Sequence, residues 1–393
     1  MNAQQIKEGA QQYLANTYGR FDLVLERGKG ATVSDTEGKE YIDLGSGIGV
    51  NSLGFADEGW VREVTKQLGK LAHTSNLYYS APCVELAKVL CTRTGMKKVF
   101  FCNSGAEANE GAIKAARKYS LERYGKGRHT IVSLQNSFHG RTMATLSATG
   151  QDVFHQNFDP FLEGFRFAPA GDTDKTLSML TEDVCAVMIE LIQGEGGVVP
   201  LERDYVKAVA DCCKKRDILL LVDEVQTGIG RTGKLLCCEH YGLLPDIITL
   251  AKGLGGGLPI GAVLFGEKCE NTLGPGDHGS TFGGNPAVCA GALAVLSRLD
   301  DAMLGEIEKK GAYLRESFEK LPGVQSVTGL GLMIGLQPAE GIAARDIVTR
   351  AIQKGAIPLT AKSKVRLLPP LAISWEELEK AAAILSECFE EGE

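Results

Sequence analysis

The sequence predicts an α/β protein, with a mainly parallel sheet wrapped by helices in a large domain and a smaller α+β domain beside it. Its middle part alternates short β-rich runs with stretches whose apolar residues recur at helical spacing, as in proteins built on a parallel sheet. The length of 393 residues also suits two domains better than a single core. We predict that residues 1–50 and 291–393 form the small domain and that residues 51–290 form the large one.

The individual elements follow from local patterns. A hairpin is predicted between Gly30 and Asp43, because Thr32-Val33 and Tyr41-Ile42 flank a turn-forming stretch. β-rich runs predict the strands of the large domain: Val99–Cys102, Thr130–Leu134, Val184–Glu190, Ile218–Val222 and Ile247–Leu250. Helices with one apolar face are predicted at Glu107–Tyr119 and Tyr205–Arg216. The C-terminal lobe is predicted from a helical stretch after Pro286, the runs Gly329–Leu336 and Val365–Leu368, and a final helix from Trp375.

Charge and cysteine spacing exclude several classes of function. A net charge of −7 and a pI near 5.6 argue against a broad phosphate-binding surface, and so against nucleic acid as a partner. The eleven cysteines include the pairs Cys212-Cys213 and Cys237-Cys238 but no C-x-x-C spacing, which predicts reduced thiols and no metal site. No apolar run is long enough for a membrane span, and Met1–Ala10 lacks a secretory pattern, so we predict a cytoplasmic protein.

Polar residues follow several predicted strands, and ligands of open α/β sheets bind at these carboxyl ends. After the first strand, Ser104 and Glu107 have capping-box spacing and Gly105 allows close approach to the backbone. Such a helix N-terminus binds phosphate, although the same pattern also describes a plain helix cap.

Two further strand ends carry an aromatic ring and charged groups. Phe138 has the shape to stack on a flat cofactor ring, and Arg141 lies three residues later, with ordinary packing and a surface cation as the alternatives. Glu195 lies among glycines in the stretch 193–197, where it is either close to a ligand or a solvated loop acid.

Asp223 and Lys252 each follow a predicted buried strand. A buried carboxylate needs a cationic partner, which the protonated pyridinium nitrogen of a cofactor would supply; a structural turn cap is the alternative for Asp223. Lys252 precedes the glycine-rich stretch 253–257, which predicts a flexible turn around a desolvated, nucleophilic amine suited to a Schiff base. A solvated surface lysine is the other interpretation.

Taken together, these motifs resemble the class III (ornithine-type) aminotransferases of fold type I over nearly the whole chain. The matching stretches are Asn103-Ser104-Gly105-Ala106-Glu107-Ala108-Asn109, Phe138-His139-Gly140-Arg141, Gly194-Glu195-Gly196-Gly197, Asp223-Glu224-Val225-Gln226-Thr227-Gly228 and Ala251-Lys252-Gly253. Because five segments occur in the right order, chance agreement is negligible. The resemblance implies pyridoxal 5'-phosphate as the cofactor, bound by residues of the segment 51–290.

The resemblance also implies a role for each matching residue. Those at the cofactor phosphate would be Ser104, Gly105 and Ala106, with Thr281 reaching over from the second subunit of a homodimer with shared active sites. Phe138 would stack on the pyridine ring, Asp223 would pair with its nitrogen, and Gln226 would contact the ring hydroxyl. Lys252 would be the covalent anchor and the proton carrier.

Within this family, residues 16–21 and 73–79 resemble the branch that acts on N-acetylornithine. Relatives that act on free ornithine carry a tyrosine near the Gly47-Ile48 position, and the small or aliphatic residues here leave room for an acylated amine. The resemblance thus implies transfer of the ω-amino group of N-acetylornithine to 2-oxoglutarate, giving glutamate. One departure is that Gly54-Phe55-Ala56-Asp57-Glu58 stands where the family usually has a Gly-x-x-His-Pro turn.

The carboxylates of the two substrates lie at different distances from the reacting carbon, so one fixed cation cannot serve both. We hypothesise that Arg141 binds the distal carboxylate in each half-reaction, and that Glu195 masks Arg366 until glutamate or 2-oxoglutarate arrives. A merely structural Arg366 is the alternative. Tyr18 and Ser280 are further predicted substrate contacts.

Several other functions stay open from the sequence. Related ω-aminotransferases act on succinyldiaminopimelate, succinylornithine, ornithine or 4-aminobutyrate, and a glutamate-semialdehyde aminomutase uses the same lysine and aspartate without an external amino acceptor. A nicotinamide dehydrogenase would also be α/β, but the chain lacks the dinucleotide fingerprint. A non-enzymatic protein that has kept the cofactor pocket is the last alternative.

Overall fold

The computed structural model describes residues 1–390, and a seven-stranded sheet lies at its centre. The strands are β1 (Leu25–Lys29), β2 (Thr32–Asp35), β3 (Glu40–Asp43), β4 (Lys98–Cys102), β5 (Thr130–Leu134), β6 (Phe165–Ala168), β7 (Val184–Ile189), β8 (Ile192–Gln193), β9 (Val199–Pro200), β10 (Leu219–Asp223), β11 (Ile247–Leu250), β12 (Gly261–Phe265), β13 (Val324–Leu330), β14 (Met333–Pro338), β15 (Ala356–Ile357), β16 (Leu359–Ala361) and β17 (Lys364–Leu367). The helices are α1 (Ala3–Tyr13), α2 (Ser46–Gly49), α3 (Glu58–Leu68), α4 (Ala81–Thr94), α5 (Gly105–Tyr124), α6 (Met143–Ala148), α7 (Thr173–Met179), α8 (Arg203–Arg216), α9 (Pro286–Arg298), α10 (Asp301–Glu319), α11 (Ala344–Lys354) and α12 (Trp375–Glu390). No helix within residues 1–390 is long and apolar enough to cross a membrane.

The central sheet has the strand order β4-β12-β11-β10-β7-β5-β6. Its neighbours pair in parallel except at β12, which runs antiparallel to both β11 and β4. The predicted α/β fold with a mainly parallel sheet is therefore confirmed. Since β5, β7, β10 and β11 all run in the same direction, their carboxyl ends share one edge of the sheet.

Burial on both faces explains why the central strands form here. Every residue of Val184–Ile189 and of Leu219–Asp223 is buried, as expected for continuous apolar runs covered by helices on each side. Helix α5 packs on β11 and β12 through a face rich in small residues, among them Ala108, Ala112 and Ala115. Small side chains let the N-terminus of this helix approach the sheet edge closely.

Two smaller four-stranded sheets flank the central one. The first has the order β1-β2-β3-β15, and its Ala356 pairs with Ile42, so a strand near the C-terminus completes the predicted N-terminal hairpin. The second has the order β13-β14-β17-β16. The domain boundaries at residues 50 and 290 stay a prediction, but the first sheet joins segments from both ends of the chain.

The structure corrects several predicted bounds. The strand predicted at Ile218–Val222 is Leu219–Asp223, so the aspartate belongs to the strand itself. The helix predicted at Glu107–Tyr119 runs from Gly105 to Tyr124, because Ser104 caps its first turn. The predicted run Gly329–Leu336 is divided between two antiparallel strands that turn at Gly331, where φ is +53°. The flexible turn predicted after Lys252 begins with a buried single turn of 3-10 helix, Lys252–Leu254.

We predict that Gly261→Ala destabilises the protein, because an added Cβ would lie 2.3 Å from the Ser104 carbonyl oxygen. Overpacking of this kind costs about 1–3 kcal/mol, which urea unfolding would measure. The matched control is Gly305→Ala in α10, where nothing lies within 4 Å of the added atom and helix propensity favours alanine by up to about 1 kcal/mol. Equal midpoints for the two variants would contradict the packing interpretation.

Candidate active site

A cavity of about 630 Å³ opens at the carboxyl edge of the central sheet. Ten of the thirteen predicted site residues line it: Tyr18, Ser104, Gly105, Ala106, Phe138, Arg141, Glu195, Asp223, Gln226 and Lys252. The structure thus brings residues separated by more than two hundred positions to one place. Ser280, Thr281 and Arg366 do not line the cavity directly.

The N-terminus of α5 forms one wall of the cavity. Ser104 Oγ accepts a hydrogen bond from the Glu107 backbone N–H at 3.1 Å, and the Glu107 carboxylate accepts one from the Asn103 N–H at 2.9 Å. Any side chain at position 105 would meet Val225, since an added Cβ would lie 2.6 Å from its Cγ1. The glycine therefore lets Val225 pack against the first turn of α5, whose free backbone amides favour an anion.

The carboxylate of Asp223 is buried and held by side chains from other elements. Its Oδ2 accepts a hydrogen bond from Asn109 Nδ2 at 2.8 Å and lies 2.8 Å from His139 Nδ1, while Oδ1 accepts the Val225 N–H at 3.0 Å. Thr249 donates to Asn109 Oδ1 at 2.7 Å and so fixes the orientation of that amide. These contacts leave the carboxylate in one position at the cavity wall.

Lys252 follows β11 on the same wall and has a positive φ of 44°. The amine is accessible from the cavity, but desolvation by the surrounding protein lowers its pKa below the ordinary lysine value of 10.5. The negative charges of Glu195 and Asp223 oppose that effect only in part. A lysine with a lowered pKa is more often neutral at physiological pH, which a nucleophilic amine requires.

Aromatic rings hold the Arg141 guanidinium at the cavity mouth. Its Cζ lies 3.9 Å from the Phe154 ring centroid and 5.5 Å from that of Phe138, and the two rings meet edge to face at 5.8 Å. Arg141 itself is exposed, so its charge is available to an anionic ligand.

A second guanidinium lies deeper and is already paired. Arg366 Nη1 donates to Glu195 Oε1 at 2.6 Å and to Gln226 Oε1 at 3.3 Å. The Arg366 side chain is 4% exposed, whereas that of Glu195 is 31% exposed. The arginine is thus shielded from solvent behind the glutamate, which is the arrangement that the hypothesis of a masked cation requires.

The segment that holds Ser280 and Thr281 lies next to the cavity. Ser280 Oγ accepts hydrogen bonds from Asn103 Nδ2 at 3.1 Å and from the Gly283 N–H at 3.0 Å. Thr281 is exposed to solvent. Within the described part of one chain, neither residue reaches the cavity, so a role for Thr281 requires a second subunit.

Sequence reasoning missed four polar residues of the site: Asn103, Asn109, His139 and Glu190. His139 and Asn109 lie inside motifs that were recognised, but the motifs do not say that both contact Asp223. Glu190 directly follows β7, so the rule that ligands bind at strand ends would have identified it. It was assigned to the strand itself.

Pyridoxal-phosphate chemistry requires a nucleophilic lysine amine and a carboxylate able to hold a protonated ring nitrogen. Here Lys252, with its lowered pKa, and the buried Asp223 lie at the ends of two adjacent strands of a fold type I sheet, which defines a pyridoxal-phosphate-dependent transaminase.

The chain belongs to the class III aminotransferases, since residues 13–389 match Aminotransferase class-III. It is 53% identical to the acetylornithine aminotransferase of Haemophilus ducreyi, with 100% of both chains covered. The crystal structure of the ornithine aminotransferase from Toxoplasma gondii superposes with a TM-score of 0.95 at 31% identity, covering 100% of this chain and 96% of that one. The acetylornithine aminotransferase from Elizabethkingia anophelis gives a TM-score of 0.88 at 32% identity, with 100% of both chains covered.

We predict that borohydride, added after pyridoxal phosphate, fixes the cofactor on Lys252. Because its pKa is lowered, the rate of cofactor attachment should rise with pH and level off below the ordinary lysine value of 10.5. Peptide mapping by mass spectrometry would locate the label. Lys310 is a matched control, because burial lowers its pKa too but it lies outside the cavity and donates to the Ile373 carbonyl. Labelling of Lys310, or undiminished labelling in Lys252→Ala, would contradict the assignment.

Proposed function

We propose that this chain transfers the ω-amino group of N2-acetyl-L-ornithine to 2-oxoglutarate, giving N-acetyl-L-glutamate 5-semialdehyde and L-glutamate, a step of arginine biosynthesis. The observation that carries the proposal is the pair of unequal cations, an exposed Arg141 and an Arg366 covered by Glu195. Full-length relatives named acetylornithine aminotransferase, at 41–53% identity, support the choice of substrate.

The residues of the cavity suit pyridoxal phosphate. The backbone amides of Gly105 and Ala106 and the Ser104 hydroxyl would hold the phosphate, and the buried Asp223 would pair with the pyridine nitrogen. Phe138 would lie against the ring, with Gln226 near its hydroxyl. When bound, the cofactor supplies an electron-withdrawing ring that stabilises negative charge on a substrate carbon.

The proton transfers fall to this chain's own side chains. Lys252, whose pKa is lowered by desolvation, is positioned to take a proton from the amine-bearing substrate carbon and to deliver it to the aldehyde-derived carbon of the cofactor. Asp223 would keep the ring nitrogen protonated, and Asn109 and His139 hold the Asp223 carboxylate in position for that contact.

Carboxylate recognition explains how one cavity accepts two different substrates. Acetylornithine has a single carboxylate far from the reacting amine, and Arg141 at the mouth is placed to bind it. Glutamate has a second carboxylate close to the reacting carbon, which would displace Glu195 and pair with Arg366 in a bidentate manner. Tyr18 also lines the cavity and would contact the substrate, while Ser280 would act through Asn103.

The exposed apolar surface beside Ser280 supports a homodimer with shared sites. Asn76 donates to the carbonyls of Ser280 and Gly283, so the two segments lie together. Next to them Leu77 is 85% exposed, Tyr79 is fully exposed and Phe282 is 59% exposed. A second copy of this chain would cover these side chains and bring its Thr281 to the cofactor phosphate.

The cysteines support a reducing compartment, and we assign the protein to the cytoplasm. Within residues 1–390 no disulfide joins any of the eleven cysteines, and most of their side chains are buried. Proteins of oxidising compartments commonly form disulfides instead.

We predict that N-acetylornithine is the best amino donor in a half-reaction panel with succinylornithine, succinyldiaminopimelate, ornithine and 4-aminobutyrate. The free α-ammonium group of ornithine would be repelled by Arg141, and a repulsion of about 1.4 kcal/mol lowers kcat/KM about tenfold. Loss of the visible cofactor band measures each rate, and 2-oxoglutarate should restore the band. A faster reaction with ornithine would overturn the substrate assignment, whereas a cofactor band that responds to none of the amines would overturn the proposed function.

We predict that Glu195→Gln lowers the ratio of acetylornithine to glutamate half-reaction rates about tenfold. The neutral amide binds Arg366 more weakly, so glutamate no longer has to displace a carboxylate. Stopped-flow measurement of both half-reactions gives the ratio. Glu202→Gln is the matched control, since Glu202 is an exposed acid outside the cavity. An unchanged ratio for Glu195→Gln would show that Glu195 does not mask the arginine.

A further inference from the structure

Glu190 is a buried acid of the cavity that the reaction described above does not use. It directly follows β7, is 6% exposed and is one of the residues that line the cavity. A buried carboxylate is unfavourable unless it is hydrogen bonded, so an acid at this position needs a reason beyond packing.

The Glu190 carboxylate accepts hydrogen bonds from two separate loops. Its Oε2 accepts the Phe138 backbone N–H at 2.9 Å, and its Oε1 accepts the Gly194 backbone N–H at 3.2 Å. The first loop follows β5 and carries Phe138 and Arg141. The second follows β8 and carries Glu195, the partner of Arg366. One side chain therefore connects the loop that carries the exposed Arg141 to the loop that carries Glu195, the acid that covers Arg366.

Glu190 also interacts electrostatically with other charged groups of the site. Burial raises its pKa to about 7, the negative charge of Asp223 acts in the same direction, and His139 opposes the change. Lys252 also interacts electrostatically with this acid. The charged groups that act on Glu190, namely His139, Asp223 and Lys252, all line the same cavity.

The backbone of the second loop packs closely against its neighbours. An added Cβ at Gly194 would lie 2.5 Å from Gln226 Oε1, and one at Gly196 would lie 2.8 Å from the Asn136 carbonyl oxygen. Residues 194–196 therefore lie close to both the Asn136 loop and the Gln226 side chain that Arg366 contacts. The two loops are thus joined by close packing as well as by Glu190.

We propose that Glu190 is a positioning residue that couples the Phe138–Arg141 loop to the Gly194–Glu195 loop, and so sets the spacing between Arg141 and the Glu195–Arg366 pair. Its effect on substrate choice rests on the proposed function. The spacing determines how well the cavity distinguishes a substrate with one distal carboxylate from one with two carboxylates.

The test variant is Glu190→Gln, which has nearly the same shape but only one acceptor oxygen. The amide NH₂ group must then face either the Phe138 or the Gly194 N–H, so one loop loses its hydrogen bond. We expect amide hydrogen exchange to become about tenfold faster in both segments, 136–141 and 194–197, with and without pyridoxal phosphate. Glu190→Asp, which is one methylene shorter, should give the same paired response and serves if the glutamine variant does not fold.

Glu224→Gln is the matched control, because Glu224 is equally buried and also accepts two backbone N–H groups, those of Cys237 and Cys238, but does not line the cavity. We expect it to change exchange near residues 237–238 and to leave the two cavity loops as they are. Faster exchange in only one cavity loop of the Glu190 variants, or in neither, would overturn the coupling.

The kinetic readout is the ratio of kcat/KM for acetylornithine to that for glutamate, which we expect to fall about tenfold in Glu190→Gln and to change less than twofold in Glu224→Gln. An unchanged ratio in Glu190→Gln, with the wild type active on both substrates, would overturn the role in substrate choice. A wild type that reacts with neither substrate would instead contradict the proposed function, and hydrogen exchange would then decide the coupling alone.

Discussion

The buried carboxylate of Asp223 is the group on which the geometry of the site depends. It ends a central strand of the sheet, where a charge is tolerated only with good hydrogen bonds. Asn109 from α5 and His139 from the loop after β5 share one oxygen, and Thr249 of β11 fixes the asparagine. The hydrogen bonds around this one carboxylate thus join α5, the loop after β5 and β11. These elements also carry the N-terminus of α5, Phe138 and the strand that leads to Lys252.

Desolvation gives the remaining charged groups different roles. The same burial lowers the pKa of Lys252 and raises that of Glu190, because desolvation disfavours the charged form of each group. The two arginines differ in their exposure to solvent. Arg141 stacks on aromatic rings and stays exposed, whereas Arg366 is covered by Glu195. The cavity therefore has one end that is fixed by hydrogen bonds, and in our proposal its other end recognises the carboxylates of two different substrates.

Much of the fold could be predicted because it depends on local patterns. Three of the five predicted strands of the large domain differ from the structure by one residue at one or both ends, and Thr130–Leu134 and Ile247–Leu250 have the predicted bounds. The antiparallel strand β12 was not predicted, since a short apolar run after a glycine-rich turn does not show its direction. Glu190 was taken as part of β7 for a similar reason, because an acid at the end of an apolar run fits either the strand or the loop.

By itself, the sequence determined the α/β class, the helix cap at Ser104 and the positions of Asp223 and Lys252 at strand ends. These features depend on residues that are neighbours in the chain. Apolar runs of this kind are buried as strands whatever the order in which the strands pair. From the sequence, the contact of Glu195 with Arg366, which is 2.6 Å in the structure, was only a hypothesis drawn from the carboxylates of the two substrates, and the two loops joined by Glu190 were not predicted. Only the tertiary structure decided these contacts, because they join distant segments and depend on side-chain directions that follow from packing.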